Sequence, residues 1–374
     1  MFFIFLISVL LNSEKSIYDA FFPGQKWLDN NMTHINAHGG GVIYFNEKYY
    51  WFGEYKIAGK LGNTAQVGVS CYVSFDLYNW TYKGIVLKVD SVENSEIAKG
   101  CIIERPKVVY NKKTQKFVMW FHLEHKGQGY KTARCAVAIS DNIEGQYKFY
   151  KSYRPDSATW PINFKDEWKK NIPGEDTLKW WSPEWKEAVE KGLFVRRDFS
   201  RGQMSRDLTV FVDEDEKAYL FYTSEENLTI HITELTNDYL AFTGKWIRVL
   251  PGGHNEAPTV FKRKGKYYLI MSGCTGWKPN DARFAISDNI WGPYIYKGNP
   301  CRGKDSAITF NSQGTFILKV QNLQDAYIFM ADRWEPKNPI DGTYVWLPIF
   351  FENERPIIYF FNKWDLSIFK KNKI

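Results

Sequence analysis

The strongest constraint on this chain is a β-hairpin pattern that occurs five times. In each copy a polar residue precedes a short β-rich run, a turn follows, and a second, more apolar run returns. The first aromatic residue of each returning run lies 11 to 14 positions after the polar residue. We call these polar residues the mouth residues: His38, Glu104, Asp207, Glu256 and Gln313. Their recurrence predicts one supersecondary unit repeated along the chain.

The fourth copy shows the pattern most clearly. Glu256 is followed by Ala257 and Pro258, then by a β-rich run, a basic turn at 262–266 and an aromatic returning run. Proline has no N–H for a β-ladder, so Pro258 fits the very start of a strand. Glu256 is therefore predicted to lie at the mouth of that strand.

Further β-rich runs follow most of the hairpins, for example at 67–74 and 133–140. Each unit then needs about 50 residues, the period of four-stranded propeller blades. A second repeat agrees, since the sequence AISDNI occurs at both 138–143 and 285–290. The sequence predicts an all-β fold, a five-bladed β-propeller that forms a single domain over residues 17–374.

One spacing is too long for a single blade. Between Glu104 and Asp207 we place an insertion at about 150–203, which is rich in tryptophan and partly helical. A helix is predicted at 183–191, with Ser182 as its N-cap and Gly192 at its end. This insertion between blades 2 and 3 is either a lid or wall for a pocket, or a packing appendage.

The N-terminal residues indicate export. The apolar run at 2–11 is too short to span a bilayer and has the length of a signal-peptide core. We therefore assign 1–16 to a signal peptide or its remnant and expect a secreted or periplasmic protein; the alternative is a buried N-terminal strand. The 5 cysteines are odd in number and lack CxxC spacing, so they predict no disulfide framework.

Composition narrows the choice of ligand. Aromatic residues make up 17% of the chain, and they either fill a β-rich core or provide flat platforms for sugar rings. The net charge of +7 arises from lysines and arginines in predicted turns and not along one stripe, which argues against a nucleic-acid partner. The acidic residues show no calcium-loop pattern, so we predict neither a metal nor a cofactor.

The predicted chemistry lies at the blade mouths. The inner strands of a propeller start around one funnel, so the five mouth residues should meet there. Three of them are carboxylates, and clustered carboxylates push their pKa values apart, so that one stays protonated while another stays ionised. Glycoside hydrolysis requires this arrangement. The alternative is that these carboxylates only accept hydrogen bonds from turn amides.

Several motifs resemble a known family. The segments EAPTVFKR at 256–263, GKYYL at 265–269 and DLTVF at 207–211 resemble glycoside hydrolase family 43. Its exo-β-1,3-galactanase branch is similar at AHGGG (37–41), ERPKV (104–108), SRD (205–207), SGCTGW (272–277) and ADRW (331–334). The resemblance spans about 30–366 and implies a five-bladed propeller that acts on plant glycans with inversion.

The resemblance also implies catalytic roles. Glu256 matches the general acid of the family, and Asp207 matches the aspartate that tunes its pKa. The usual base, an Asp at the first mouth, is replaced by His38, a departure that the galactanase branch shares. Activation of water then falls to another group. Glu104 ranks first as the remaining acidic mouth residue, and Gln313 ranks second as a group that can position a water.

Four residues are candidates for substrate binding: Glu54, His38, Thr275 and Trp277. Glu54 ends an aromatic strand, His38 begins a glycine-rich wall, and Thr275 and Trp277 lie in a glycine-rich loop. The arginines Arg105, Arg206 and Arg333 flank acidic positions, and we expect them to hold carboxylates in place.

The sequence therefore predicts an exo-acting, inverting hydrolase that releases galactose from β-1,3-galactan, the backbone of arabinogalactan. We expect a monomer whose partner is a plant-type galactan or arabinogalactan polysaccharide. One alternative keeps the fold and changes the sugar to arabinose or xylose. The other is a non-catalytic glycan-binding propeller; Asp207 and Glu256 together argue against it, because binding alone needs no tuned acid.

Overall fold

The computed structural model describes residues 17–371. Within them the strands form five antiparallel sheets, and the inner strand of each sheet contacts that of the next in a closed ring. This confirms the predicted five-bladed β-propeller.

Each blade follows the chain from its inner to its outer strand, except for one added strand in the fifth. Blade 1 consists of β1 (His38–Phe45), β2 (Lys48–Tyr55), β3 (Gly68–Ser74) and β4 (Thr81–Lys88). Blade 2 consists of β5 (Ile102–Asn111), β6 (Lys116–Glu124), β7 (Arg134–Ser140) and β8 (Lys148–Tyr153). Blade 3 consists of β9 (Leu208–Val212), β10 (Ala218–Ser224), β11 (Thr229–Leu235) and β12 (Phe242–Val249).

Blade 4 consists of β13 (Asn255–Arg263), β14 (Lys266–Gly273), β15 (Ala282–Ser287) and β16 (Ile295–Gly298). Blade 5 consists of β18 (Gln313–Lys319), β19 (Tyr327–Arg333), β20 (Thr343–Glu352) and β21 (Arg355–Tyr359), with β17 (Cys301–Arg302) parallel to β21. The helices are α1 (Pro183–Glu190), α2 (Leu193–Arg197) and α3 (Ile368–Lys371). Single 3₁₀ turns occur at Lys60–Asn63, Asp166–Lys169, Glu175–Thr177, Ser306–Ile308 and Pro339–Asp341.

Apolar side chains fill the space between neighbouring blades. Phe52 of blade 1, for example, packs in one cluster with Met119 and Phe121 of blade 2, and all three are fully buried. Equivalent clusters join each later pair of blades. Each sheet thus buries both faces, which explains why its inner strands read as nearly continuous apolar runs.

The ring closes between blades 5 and 1 through the ends of the described chain. The amide of Phe21 donates to the Trp364 carbonyl at 2.8 Å, and the two rings stack with centroids 4.3 Å apart. The Tyr344 hydroxyl of β20 accepts a hydrogen bond of 2.9 Å from the Ala37 amide at the start of blade 1. These contacts fix the first inner strand against the last blade.

A β-bulge recurs at the mouths of the inner strands. The register shifts just after His38, Glu104 and Glu256. The next residue in each case is left-handed, with φ of 61° at Gly39, 57° at Arg105 and 53° at Ala257. Such bulges re-aim side chains, and a left-handed residue other than glycine costs about 1–2 kcal/mol. At two of the three strand starts the strained residue is not glycine: Arg105 follows Glu104, and Ala257 follows Glu256.

The insertion lies between β8 of blade 2 and β9 of blade 3, as predicted, and the structure shows that it packs on blade 3. Ser182 caps α1 by accepting a hydrogen bond from the Trp185 amide, and Gly192 ends the helix with φ of 90°. Arg248 of β12 donates to the carbonyls of Val189 and Glu190 at 2.7 Å each. The insertion therefore begins and ends on the face of the propeller that carries the mouth residues.

The predicted signal peptide, residues 1–16, lies outside the described residues. Among residues 17–371 we find no helix with both the length and the apolar character needed to cross a membrane. All five cysteines are unpaired.

Candidate active site

A cavity of about 290 Å³ opens where the inner strands begin. Six of the eight predicted site residues line it: Glu54, Glu104, Asp207, Glu256, Trp277 and Gln313. The strand order brings these residues together although they span more than 250 positions of the sequence. The expectation that the mouths share one funnel is thus met for four of the five mouth residues.

Glu256 is placed to act as an acid. Its Oε1 accepts a hydrogen bond of 3.0 Å from the Gln313 amide, and its Oε2 lies 3.5 Å from Nδ2 of Asn227. Burial and the nearby negative charge of Asp207 raise the pKa of Glu256 to about 7. The carboxyl group is therefore substantially protonated at neutral pH, as a proton donor must be.

Arg105 holds Asp207 in place. Its Nη2 donates to Oδ2 of Asp207 at 3.1 Å and to Oε1 of Gln313 at 2.6 Å, and its Nη1 donates to the Gly314 carbonyl at 2.9 Å. The guanidinium also lies over the Trp334 ring, 5.4 Å from the centroid. Arg105 thus locks a carboxylate, as expected of it.

The other two arginines act differently. Arg206 donates to Oδ1 of Asn227 at 3.1 Å and lies 3.7 Å from the carboxylate of Glu226. Arg333 instead donates to backbone carbonyls at positions 310 and 311. The expectation that it would hold a carboxylate was wrong, because its side chain points to the turn before β18.

The orientation of the Gln313 amide follows from its neighbours. Its oxygen accepts from both Arg105 and the Trp334 indole, the latter at 3.1 Å. A nitrogen in that position would face two donors, so the Gln313 Nε2 must point to Glu256 and Ser272.

Glu104 belongs to a buried ionic network. Its Oε2 lies 3.0 Å from Nδ1 of His122, and its Oε1 accepts from the Tyr130 hydroxyl at 2.8 Å. The other ring nitrogen of His122 lies 3.0 Å from Glu124. Burial opposes both charges, but the hydrogen bonds and opposite charges lower the pKa of Glu104 to about 2 and raise that of His122 to about 9. Both groups are ionised at neutral pH.

Glu54 forms a buried part of the cavity wall. It pairs with Lys56 at 2.6 Å and accepts a hydrogen bond of 3.0 Å from the Arg105 amide. Burial raises the pKa of Glu54, and Lys56 opposes that rise. These two partners fix the Glu54 side chain in the cavity wall.

A metal ion does not suit the donor atoms present. Ligand atoms of Glu104, His122 and Asp207 lie within 4.8 Å of one another. Both ring nitrogens of His122, however, already face carboxylates, and a protonated imidazole has no lone pair for a metal. These residues fit an ion-pair network instead.

His38 and Thr275 are the two predicted residues that do not line the cavity. The His38 side chain is 1% exposed, stacks on Tyr344 with centroids 5.2 Å apart and lies 3.4 Å from Asp332. Thr275 donates to the Lys278 carbonyl at 2.6 Å and accepts from Asn280 at 2.7 Å. His38 is therefore buried behind the cavity wall. Thr275 is exposed, but its hydroxyl is bonded within the loop that carries Trp277.

The sequence analysis missed several residues of the cavity: Lys56, His122, Tyr130, Asn227 and Trp334. His122 lies directly opposite Glu104 in the β5–β6 ladder, a signal that appears only once the register is known. Trp334 belongs to the ADRW motif at 331–334, but the sequence offered no reason to assign it a role.

Known proteins resemble the chain over nearly its whole length. It matches a solved family 43 β-1,3-galactosidase in complex with galactodeoxynojirimycin, with a TM-score of 0.90 and 49% identity, covering 92% of this chain and 100% of that one. The chain is a member of glycoside hydrolase family 43. As a family 43 enzyme it is a glycoside hydrolase, and residues 183–337 match the sequence profile described as glycosyl hydrolases family 43.

Other known proteins resemble the chain at lower identity. An exo-β-1,3-galactanase from Clostridium thermocellum is 35% identical with a TM-score of 0.75, covering 92% of this chain and 66% of that one. An exo-β-1,3-galactanase from Phanerochaete chrysosporium, bound to β-1,3-galactotriose, is 28% identical with a TM-score of 0.74, covering 93% of this chain and 68% of that one. A β-D-galactofuranosidase from Aspergillus niger is 26% identical over 129 residues, which are 31% of this chain and 37% of that protein.

Proposed function

We propose that this family 43 enzyme is an exo-acting, inverting hydrolase that releases galactose from the ends of β-1,3-galactan chains. The observation that carries the proposal is the pairing of Glu256, whose pKa is raised to about 7, with the arginine-bound Asp207 in one small cavity. Relatives that act on β-1,3-linked galactose support the choice of sugar.

The closed end of the cavity supports exo-action. Arg105 lines the cavity, and beneath it Lys107 is fully buried, with its Nζ donating to the carbonyl oxygens of Gly39 and Arg105 at 2.8 and 3.3 Å. A side chain at Gly41 would come within 2.7 Å of Lys107. The funnel is therefore plugged by packed side chains, and a polysaccharide can enter it only by a chain end.

In the proposed mechanism Glu256 donates its proton to the glycosidic oxygen as the bond to the leaving sugar breaks. The negative charge of Asp207 raises the pKa of Glu256 and so keeps it protonated until that step, and Arg105 holds the Asp207 side chain in its orientation. A water attacks the opposite face of the galactose ring, and the released sugar has the α configuration.

Two side chains are candidates for activating that water. Glu104 is ionised and lies in the same cavity, although its low pKa makes it a weak base. Gln313 is neutral and already contacts Glu256 at 3.0 Å. In inverting glycosidases the carboxyl groups of the acid and the base are ordinarily about 6.5–9.5 Å apart, which leaves room for the attacking water.

Azide rescue distinguishes the two. A base-deficient variant, Glu104→Gln or Gln313→Ala, is incubated with an activated β-galactoside and sodium azide. Formation of α-galactosyl azide by one variant and not the other assigns the role to the residue that was replaced.

The activity itself is tested by incubating the protein with β-1,3-galactan. We expect galactose as the only monosaccharide released, with the α-anomer formed first in the proton NMR spectrum. Measurable binding without any release would favour the glycan-binding propeller. Release of arabinose or xylose from their polymers, but no galactose from galactan, would favour the alternative sugars.

We further propose that the natural substrate is the β-1,3-galactan backbone of arabinogalactan and that the enzyme is an exported monomer. The apolar run at 2–11 supports export. Cell fractionation with sequencing of the mature N-terminus tests the location, and light scattering of the purified protein tests the oligomeric state.

A further inference from the structure

The insertion carries an exposed aromatic surface on the same face as the cavity. Trp180 and Trp181 are adjacent in sequence, and each is 51% exposed. Both rings rest on Trp185 of α1, which is buried, at centroid distances of 5.0 and 5.2 Å. The two indoles are therefore held on a fixed base although half of their surface meets solvent.

The backbone at this surface is strained. Trp181 has φ of 70°, a left-handed conformation that is unfavourable for a bulky side chain. Packing on Trp185 and His254 covers only about half of the Trp181 side chain, which is 51% exposed. Strain that persists at an exposed side chain points to a function for that side chain.

The surface formed by Trp180 and Trp181 lies close to Glu256. The Trp181 ring lies 5.2 Å from the ring of His254, which precedes Glu256 by two residues on the path into β13. Two residues of extended chain span about 7 Å at most. A second contact joins the insertion to the rim of the cavity on the Glu256 side. Arg197 of the insertion pairs at 2.9 Å with Glu226, which is adjacent in sequence to the cavity residue Asn227.

The direction of the substrate follows from the chemistry. The acid protonates the glycosidic oxygen, so the leaving part of the chain lies on the Glu256 side of the cavity. The cavity is plugged below, so every further sugar of a long chain must extend over the rim. On the Glu256 side that rim continues to His254 and then to the two indoles.

We propose that Trp180 and Trp181 form a distal subsite that binds sugars on the leaving-group side of a long β-1,3-galactan chain. The flat indoles offer apolar faces to the C–H faces of pyranose rings. This inference rests on the proposed function and adds to it a preference for long chains over disaccharides.

The test compares kcat/KM for β-1,3-galactobiose and for long β-1,3-galactan in three variants, Trp180→Ala, Trp181→Ala and Phe75→Ala. Phe75 is a matched control, because it is 71% exposed and follows β3 at the opposite end of the propeller. We expect each tryptophan variant to lose about five- to tenfold on long galactan, the effect of one aromatic contact, and to retain its rate on galactobiose. Phe75→Ala should retain both rates.

Equal losses on the two substrates, or no loss on either, would overturn the subsite while leaving the proposed function intact. Failure of the unsubstituted protein to release galactose from both substrates would overturn the proposed function and the subsite with it.

A second measurement needs no tryptophan variant. In the Glu256→Gln protein, oxidation by N-bromosuccinimide is mapped by mass spectrometry with and without a long β-1,3-galacto-oligosaccharide. The oligosaccharide should protect Trp180 and Trp181, whereas galactose should protect only the cavity residues Trp277 and Trp334. Equal oxidation of Trp180 and Trp181 in all samples would contradict the proposal.

Discussion

The amide nitrogen of Gln313 donates a hydrogen bond of 3.0 Å to the carboxyl oxygen Oε1 of Glu256. The oxygen of the same amide accepts from Arg105, and Arg105 also binds Asp207. Four side chains from blades 2 to 5 thus form one chain of hydrogen bonds that ends on the acid. The proton affinity of Glu256 is therefore a property of the assembled ring and not of one hairpin.

Replacing the acid should stop turnover without preventing binding. Glu256→Gln keeps the shape of the side chain but cannot donate a carboxyl proton, so we expect kcat on galactan to fall about 10²–10⁴-fold. Calorimetry with a galacto-oligosaccharide should show affinity close to that of the unsubstituted protein. Near-normal kcat in this variant would show that another group is the acid.

The pH profile should fall on its alkaline side near pH 7, because Glu256 must be protonated and its pKa is about 7. The pKa of Glu104, about 2, leaves the acidic side flat over the usual range. Asp207→Asn removes a negative charge that raises the pKa of Glu256, so the alkaline limb of kcat/KM should move to lower pH. A limb that stayed in place would mean that Asp207 does not tune the acid.

The raised pKa of Glu256 also makes the folded state less stable at high pH. The folded protein keeps this proton up to about pH 7, whereas the unfolded chain loses it near pH 4.5. The stability that this proton contributes to the folded state is therefore fully present below pH 4.5 and is lost as the pH rises through 7. The loss amounts to roughly 3 kcal/mol. Glu256→Gln should therefore raise the melting temperature at pH 8 but change it little at pH 4. Equal effects at both pH values would contradict this account.

His122 should control the charge of Glu104. Burial raises the pKa of Glu104, and the His122 cation lowers it. The substitution His122→Asn removes that cation, so the pKa of Glu104 should rise. If catalysis requires ionised Glu104, kcat/KM of His122→Asn should gain an acidic limb within the measurable range. Tyr130→Phe removes one hydrogen bond to the same carboxylate and should have a smaller effect in the same direction. A uniform loss of rate, with no change in the shape of the profile, would indicate a purely structural role for His122.

The local sequence was sufficient for much of the fold. Pro106 and Pro258 follow the bulged residues Arg105 and Ala257, and the hairpin turn at Asn46–Glu47 has φ of 46° and 63°, as a tight two-residue turn requires. The N-cap at Ser182 and the stop at Gly192 were also readable. These features depend on residues within a few positions of one another, so their physics is contained in short segments.

The candidate site was only partly predictable. Repetition identified Glu104, Asp207, Glu256 and Gln313, because equivalent positions of repeated blades meet at the funnel. It also placed His38 there, and the structure buries that ring against Tyr344. The position of the side chain is set by blade 5, which lies about 300 residues away in sequence.

By itself the sequence determined that the chain repeats one hairpin five times, that carboxylates recur at its mouths and that a tryptophan-rich segment interrupts the repeat. Only the tertiary structure decided which of those groups are charged. Burial, the partner of His122 across the β5–β6 ladder and the reach of Arg105 to Asp207 and Gln313 all act through space. Proton affinity depends on distance and desolvation, and neither quantity exists until the blades close into a ring.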